Sequence, residues 1–568
     1  MEAKIIMGIW DGHDAGVAII QGHDILFAIN EERLSRRKLE VGFPSLSIQA
    51  ALKATGLKPE DIDCVAVSTT DFAKTLTRVF PRLKESYYQL RRHKIQPGLF
   101  YGQKKCIKYW LTKIAPSACS KIVSHIVLTR QLRLEGFKKT PIKWIGHHDS
   151  HAATAIFPSG FDDSLVLTLD GIGDGLSGSI MSFRKGKILP LVNLRGRDSL
   201  GIFFEQVTNL LNMRELEDEG KVMALATYAS PIADSENPLL NFFQLEGLTL
   251  KAKFDNRQMY RELKKVYWRY PNEQFAYLAQ RTLEVKVLEL IKAAMKQTGH
   301  KNIAYAGGLA SNIKINRHIR SLPDVEKLFV FPHMGDGGQA LGSAMWHNYV
   351  ENNIKSYDLK SVYLGPGYEN REIKQSLQVK SGINMRAIAD PSVVAAGLIA
   401  AGKTLFWFQN RMEFGPRSLG ARSILAPVHS SEVKDTLNLK LKKRVWYQPF
   451  CPSMLHSDAM ELLEDYDGVP NEFMTCAYQV RKEQRAKVAG VIGVDGSCRP
   501  QILSDSDDGQ FARLLRELKK LTGVGAILNT SLNIHGEPLV CSPSDVLRTF
   551  LKTDIQDLII GNYHVTKR

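Results

Sequence analysis

The chain has 568 residues, 44% of them hydrophobic and 24% charged, which makes about two to four domains and excludes a wholly disordered chain. Lys and Arg number 75 against 59 Asp and Glu, a net charge of +16, yet residues 74–144 alone hold 17 cations and two acids, Glu85 and Glu135. Seven cysteines without a C-x-x-C pair, no signal-peptide pattern over residues 1–20 and no apolar run of about 18 residues point to a cytoplasmic protein with free thiols, neither secreted nor membrane-spanning.

Residues 4–9 read as an apolar strand running into the small turn Asp11-Gly12-His13-Asp14-Ala15-Gly16, and residues 17–20 and 25–29 flank a hairpin turn at Gly22. Pro44 suits the first turn of a helix that Gly56 ends, and residues 64–67 form a buried strand. Beyond the basic segment, strand 164–169, the acidic turn Asp170-Gly171-Ile172-Gly173-Asp174-Gly175 and strands 178–183 and 188–192 repeat the opening phrase. That is the pattern of an internal duplication with two halves facing a cleft; chance recurrence of strand, glycine turn and strand is the alternative. Strand 302–305 runs into Ala306-Gly307-Gly308, with Ser311 and Asn312 opening a helix, and strand 328–331 runs into Met334-Gly335-Asp336-Gly337-Gly338 before a helix over 339–350. Glycine turns at strand C-termini are where α/β folds approach phosphates. Polar texture over 351–391 and the break Gly365-Pro366-Gly367 mark a boundary. The expected domains are 1–355, with a basic insertion at about 74–144, and 389–568, joined by a linker at 356–388. The second should hold helices near 392–401 and 511–521 and strands at 404–408 and 525–528.

His147 and His151 stand four apart, and on a helix both imidazoles project from one face, as metal ligands do. Asp170 and Asp336 are the obvious carboxylates to complete the set, which suits iron, manganese or zinc more than calcium; capping or surface histidines are the alternative. His13, beside Asp14, has the chemistry to take a proton from an alcohol near pH 7, or to serve merely as a turn histidine bonded to backbone. Arg411, Arg417, Arg422, Lys442, Lys443, Arg444 and Arg499 lie near Gly, Pro or Ser breaks, which suits anion oxygens as well as it suits a solvated basic face. Cys451, after Pro449-Phe450, reads as packed. In the basic segment, cations alternate with Tyr87, Tyr88, Phe100, Tyr101, Ile107, Tyr109 and Trp110. Peripheral contact with an anionic membrane, an acidic acceptor, or a solvated insertion all fit that mixture; no nucleic-acid-reading motif is present.

The chain resembles the O-carbamoyltransferases of natural-product and nodulation-factor biosynthesis, the group of the tobramycin, cephamycin and Nod-factor enzymes. The likeness runs nearly end to end, weakest over 74–140. It is carried by His13-Asp14-Ala15-Gly16, Glu31-Glu32-Arg33, His147-x-x-x-His151, Leu169-Asp170-Gly171, Gly220-Lys221-Val222-Met223, Gly307-Gly308 through Asn312, Phe414-Gly415-Pro416-Arg417-Ser418-Leu419-Gly420, Val494-Asp495-Gly496 through Arg499, and Asn529-Thr530-Ser531 through Pro538. The resemblance implies an α/β fold class: a duplicated actin/Hsp70-like (Kae1-like) domain followed by a smaller YrdC-like α/β domain. It also implies an ATP-dependent O-carbamoyltransferase. Carbamoyl phosphate and ATP with Mg2+ give carbamoyl adenylate in the second domain, and the first transfers the carbamoyl group to a hydroxyl of a small molecule or glycan. His147, His151, Asp170 and Asp336 would then hold Fe2+ (or Mn2+ or Zn2+), with His13 as general base. Gly307, Gly308 and Asn312 would lie against nucleotide, and Arg417, Arg444 and Arg499 against carbamoyl phosphate or ATP oxygens. Three positions depart from the family pattern: Gln448 replaces a cation, Ala421 an Asn, and Gly493 a His. A threonylcarbamoyl-type tRNA modifier and a non-catalytic actin-like nucleotide-binding scaffold are the competing functions. Domain order and the 414–422 motif favour carbamoyl transfer without nucleic acid.

Overall fold

Buried from its second residue on, β1 (Ile5–Trp10) is followed by a turn that folds the chain back into β2 (Gly16–Gln21) and then β3 (Asp24–Asn30). The computed structural model describes residues 3–95, 110–534 and 536–568. Next come α1 (Ser45–Thr55), β4 (Cys64–Ser68), α2 (Phe72–Val79), α3 (Pro81–Arg91), α4 (Ala118–Leu134), β5 (Ile142–Ile145) and α5 (His147–Ile156). The second half runs β6 (Asp163–Gly173), β7 (Leu176–Arg184), β8 (Lys187–Arg195), α6 (Asn272–Thr298), β9 (Asn302–Ala306), α7 (Ile313–Arg320), β10 (Lys327–Val330) and α8 (Gln339–Asn352).

Both five-stranded sheets have one order and one set of directions. In β3-β2-β1-β4-β5, β1 is antiparallel to β2 and parallel to β4; in β8-β7-β6-β9-β10, β6 is antiparallel to β7 and parallel to β9. Order and direction repeated together make this a duplicated domain, each half with the actin/Hsp70-like strand order. The equivalent helices α5 and α8, each after the last strand of its half, pack on one another. Equivalent turns, after β1 and after β6, therefore accompany equivalent helices at one end of the duplication, which is where the candidate site lies.

The chain divides into two units, residues 1–31 with 39–360, and residues 32–38 with 361–568. The second unit, also α/β, contains α9 (Asn370–Gln378), β11 (Ile383–Ala387), α10 (Pro391–Ala400), β12 (Leu405–Phe408), β13 (Arg422–Ala426), β14 (Cys451–Leu455), β15 (Gln501–Leu503), α11 (Gln510–Thr522), β16 (Ala526–Ser531), β17 (Asp557–Ile560) and β18 (Tyr563–Lys567). Its eight-stranded sheet has the order β11-β18-β17-β12-β13-β16-β14-β15, and α10 and α11 bury their apolar faces on Trp407, Leu425 and Ile527. The stretch 356–388, expected as a linker, contains one helix and one strand: α9 lies within it, and β11 pairs with β18 at the sheet edge. Only Ile383 of β11 is buried, and only Ile373 and Leu377 of α9, so little periodicity showed in the sequence.

Part of the basic segment turns inward. Arg78 forks onto Asp11, Nε to Oδ2 at 2.7 Å and Nη2 to Oδ1 at 3.0 Å, Lys74 Nζ lies 2.9 Å from Asp11 Oδ1, and Lys84 donates to the Asp11 carbonyl. Arg91 pairs with Glu205 and Glu215, and Arg92 with Glu217. This corrects, for five residues, the reading of 74–144 as a surface insertion; their partners are too far along the chain to be seen as pairs. Phe100, Tyr101, Cys106, Ile107 and Tyr109 lie outside the described residues. Among the described residues, no helix is long and apolar enough to cross a membrane.

Burial raises the Asp11 carboxyl, but Arg78 and Lys74 outweigh it and hold it far below the usual carboxylate range. Its stabilising charge is thus fully present above about pH 5 and lost as the pH falls below the unfolded value of about 4. Asp11→Ala leaves Lys74 and Arg78 buried without their counter-charge, and should destabilise the protein by about 3–5 kcal/mol. Urea unfolding at pH 7 checks this; a loss near zero would mean that the cations find water instead.

Candidate functional site

The helix condition on the histidine pair is met: α5 begins at His147 and brings His151 to the same face. Asp174, in the turn after β6, accepts the His147 backbone N–H at 2.7 Å, so the second half caps a helix of the first. His147 Nε2 lies 3.2 Å from Asp170 Oδ2 and 3.5 Å from Asp336 Oδ1; His151 Nε2 lies 3.9 and 3.4 Å from the same two atoms. One ligand atom from each of the four falls within 4.8 Å of the others. Two donors about 2.1 Å from a common centre, at angles between octahedral and tetrahedral, stand about 3.0–3.5 Å apart, which is close to this spacing. His151 Nε2 and Asp336 Oδ1 are buried with no hydrogen-bond partner, as groups aimed at a cation are. Two imidazoles and two carboxylates fit an iron, manganese or zinc ion. Burial pushes the His151 imidazole down, but Asp170 and Asp336 outweigh it and lift it to about 9. His148 faces away: it donates from Nε2 to the Leu176 carbonyl and meets Thr168 Oγ1 at 2.9 Å, and burial with its charged neighbours lowers it to about 3.

His13 joins this cluster, with Nδ1 3.4 Å from Asp336 Oδ2. Sequence reasoning missed its neighbour. Tyr88, on α3, stacks on the His13 ring at 5.4 Å between centroids and 27° between planes. The Lys84 hydrogen bond to the Asp11 carbonyl and the Arg91 ion pair with Glu215 fix α3 on either side of Tyr88, so basic residues that look like surface instead anchor a wall of the site.

Gly307 and Gly308 hold the His/Asp cluster in shape. Gly307 has φ +96°, and a Cβ there would lie 2.2 Å from the Leu169 carbonyl oxygen. That close approach lets the Gly308 N–H donate to Asp170 Oδ1 at 2.8 Å, which orients the carboxylate. Asn312 does not join them: its side chain exchanges hydrogen bonds with Gln280 at 2.9 and 3.2 Å and accepts the Ile315 N–H that caps α7.

The second unit gathers another set. Arg499 donates from Nε and Nη2 to Cys451 Sγ at 3.2 and 2.9 Å, and Arg444 lies 4.1 Å over the Phe450 ring. Burial and then Arg499 lower Arg417, and burial chiefly lowers Arg444. No carboxylate offsets these cations among the described residues. Three arginines converging without a counter-charge have the chemistry to take an anion. Cys451 is buried, as expected, but among guanidinium groups. Arg422 is not part of this set; fully buried, it lies 3.7 Å over Phe408 and donates to the Gln409 and Asn410 carbonyls. Arg411 donates to the Gly365 and Leu364 carbonyls.

Three further residues tie the second unit together, and of these only Arg33 stands in a motif quoted from the sequence. Glu413 Oε1 accepts the N–H groups of Leu419, Ala421 and Arg422 at 2.9–3.0 Å. Arg33 donates to the Gly415 carbonyl at 2.8 Å, and Arg36 to those of Pro538 and Leu539. The early segment 32–38 thus belongs with a unit that begins more than 300 residues later. The motif Glu31-Glu32-Arg33 was the available signal, without a hint of where it packs.

Two family profiles cover the chain, one described as Carbamoyltransferase N-terminus over residues 5–345 and one as Carbamoyltransferase C-terminus over residues 396–567. Nodulation protein NolNO of Sinorhizobium fredii (strain NBRC 101917 / NGR234) is 32% identical, over 98% of this chain and 79% of its own length. Nodulation protein NolO of Bradyrhizobium diazoefficiens is 34% identical, over 75% of this chain and 79% of its own. The crystal structure of full-length HypF in its phosphate- and nucleotide-bound form matches 62% of this chain and 57% of that one at 12% identity, with a TM-score of 0.34, too low to carry an argument.

Proposed function

The chain belongs to the carbamoyltransferase family, and on that premise we propose that it forms carbamoyl adenylate in its second unit and transfers the carbamoyl group to an alcohol in its first. The observation that carries this reading is the convergence of His147, His151, Asp170 and Asp336 within 4.8 Å, with His13 against Asp336.

In the second unit, Arg417, Arg444 and Arg499 bind the phosphate of carbamoyl phosphate and oxygens of Mg2+-ATP. The overall step consumes one water: carbamoyl phosphate and ATP give carbamoyl adenylate, pyrophosphate and phosphate. In the first unit, His13 takes the proton of the acceptor hydroxyl, whose oxygen attacks the carbamoyl carbon. The bond to AMP breaks, and AMP leaves with the electron pair. Tyr88 and Asp336 hold the His13 ring in place, and the Gly308 N–H holds Asp170. A divalent iron-type ion on His147, His151, Asp170 and Asp336 would supply Lewis acidity to the carbamoyl or phosphate oxygens. The acceptor class is a hydroxyl-bearing natural product or sugar, with AMP as the common by-product.

Mass spectrometry after incubation with ATP, Mg2+, carbamoyl phosphate and a panel of polyols tests the reading. The expected product carries one added HNCO unit, formed only when both co-substrates are present. Threonine-dependent ATP consumption without carbamoyl phosphate would overturn it in favour of tRNA modification, and absence of any turnover would favour a scaffold.

A further inference from the structure

Helix α4 is apolar on two opposite faces. Ser120, Ser124, Leu128 and Leu132 are buried, with Thr75 Oγ1 of α2 at 2.8 Å from Ser124 Oγ. Half a turn away, Ala118, Ile122, Ile126, Arg130 and Leu134, spaced every four residues, form a stripe that faces solvent. Ile122 is 62% exposed, Ile126 64% and Leu134 82%, where a surface helix ordinarily turns polar residues outward. Lys121, His125 and Arg133 flank the stripe and are exposed, and the helix contains no acid. Glu135, just past its end, accepts a hydrogen bond from Gln49. These cations are part of the charge that remains once Lys74, Arg78, Lys84, Arg91 and Arg92 have found their partners inside the first unit.

We propose that the outer face of α4 docks on an anionic lipid surface. An isoleucine stripe bordered by cations is the arrangement of a helix lying in the interface, with the aliphatic side chains among the acyl chains and the Lys and Arg heads at the phosphates. A second copy of the chain would set Lys121, Arg130 and Arg133 against their own like charges, which disfavours a dimer through this face. The helix lies on the bilayer and does not span it.

Co-sedimentation of the full chain with phosphatidylglycerol and phosphatidylcholine vesicles tests this. Binding is expected to phosphatidylglycerol alone, weakening as salt rises, with each cation contributing on the order of fivefold at low salt. Ile122→Glu with Ile126→Glu should weaken it by at least about tenfold, and Arg130→Gln with Arg133→Gln similarly, while both variants keep the wild-type melting temperature and carbamoyl transfer. Equal binding to both lipids, binding to neither, or retention of binding in both variants would overturn the proposal. So would a salt-sensitive dimer in sedimentation velocity that the Ile122 and Ile126 changes abolish, since it would assign the face to a second copy.

Discussion

Replacing His147 or His151 by alanine is expected to lower carbamoyl transfer on the order of 10³-fold, while pyrophosphate release from ATP and carbamoyl phosphate continues near the wild-type rate. Both imidazoles start α5 in the first unit and face Asp170 and Asp336, whereas the arginines that can hold carbamoyl phosphate lie in the second. On the proposed reading, losing one of four ligands would remove several kcal/mol of Lewis-acid stabilisation from the transfer step and nothing from adenylate formation. Chelation should reproduce the same split, measured as carbamoylated product against pyrophosphate. Equal loss of both half-reactions in a variant that keeps its melting temperature would refute the division of labour.

Arg417→Ala and Arg499→Ala should each raise the Michaelis constant for carbamoyl phosphate roughly 10- to 150-fold, the equivalent of about 1.5–3 kcal/mol for a lost charge-assisted contact. Arg499 already bonds the Cys451 thiol, and Arg417 is held at a cost beside it, lowered by burial and by the Arg499 charge. A bound anion relieves that repulsion, so both residues bear on affinity more than on turnover. A lysine at position 417 should recover part of the affinity but not the fork. Steady-state kinetics of pyrophosphate release over a range of carbamoyl phosphate concentrations reads the effect directly. Unchanged constants in both variants would reduce the cluster to a solvated basic face.

Local patterns in the sequence were legible where one element carries the signal. The small turn at 11–16, its echo at 170–175 and the four-residue histidine spacing each sit within a single strand-turn or helix, and the duplicated strand order follows from them. The two carboxylates were legible for the same reason, since each occupies a glycine turn at the end of a strand. What stayed hidden depends on pairing across the chain. Nothing near Asp11 announces Arg78, and nothing near Arg33 announces Gly415. The charge count over 74–144 was right about composition but silent on direction, because a lysine facing Asp11 and one facing solvent are the same letter. The family resemblance places Asn312 against nucleotide, and its cap on α7 and its bonds to Gln280 were not visible in the sequence. The edge strand β11 escaped notice because one buried residue in five leaves no alternation to read.

Exchange of labelled pyrophosphate into ATP, without any acceptor, tests the central claim most directly. If the second unit makes carbamoyl adenylate, label enters ATP only when carbamoyl phosphate is present, persists in His151→Ala, and falls away in Arg417→Ala at low carbamoyl phosphate. No exchange in the wild-type protein, with ADP instead of AMP as the nucleotide product, would contradict an adenylate and with it the two-site account.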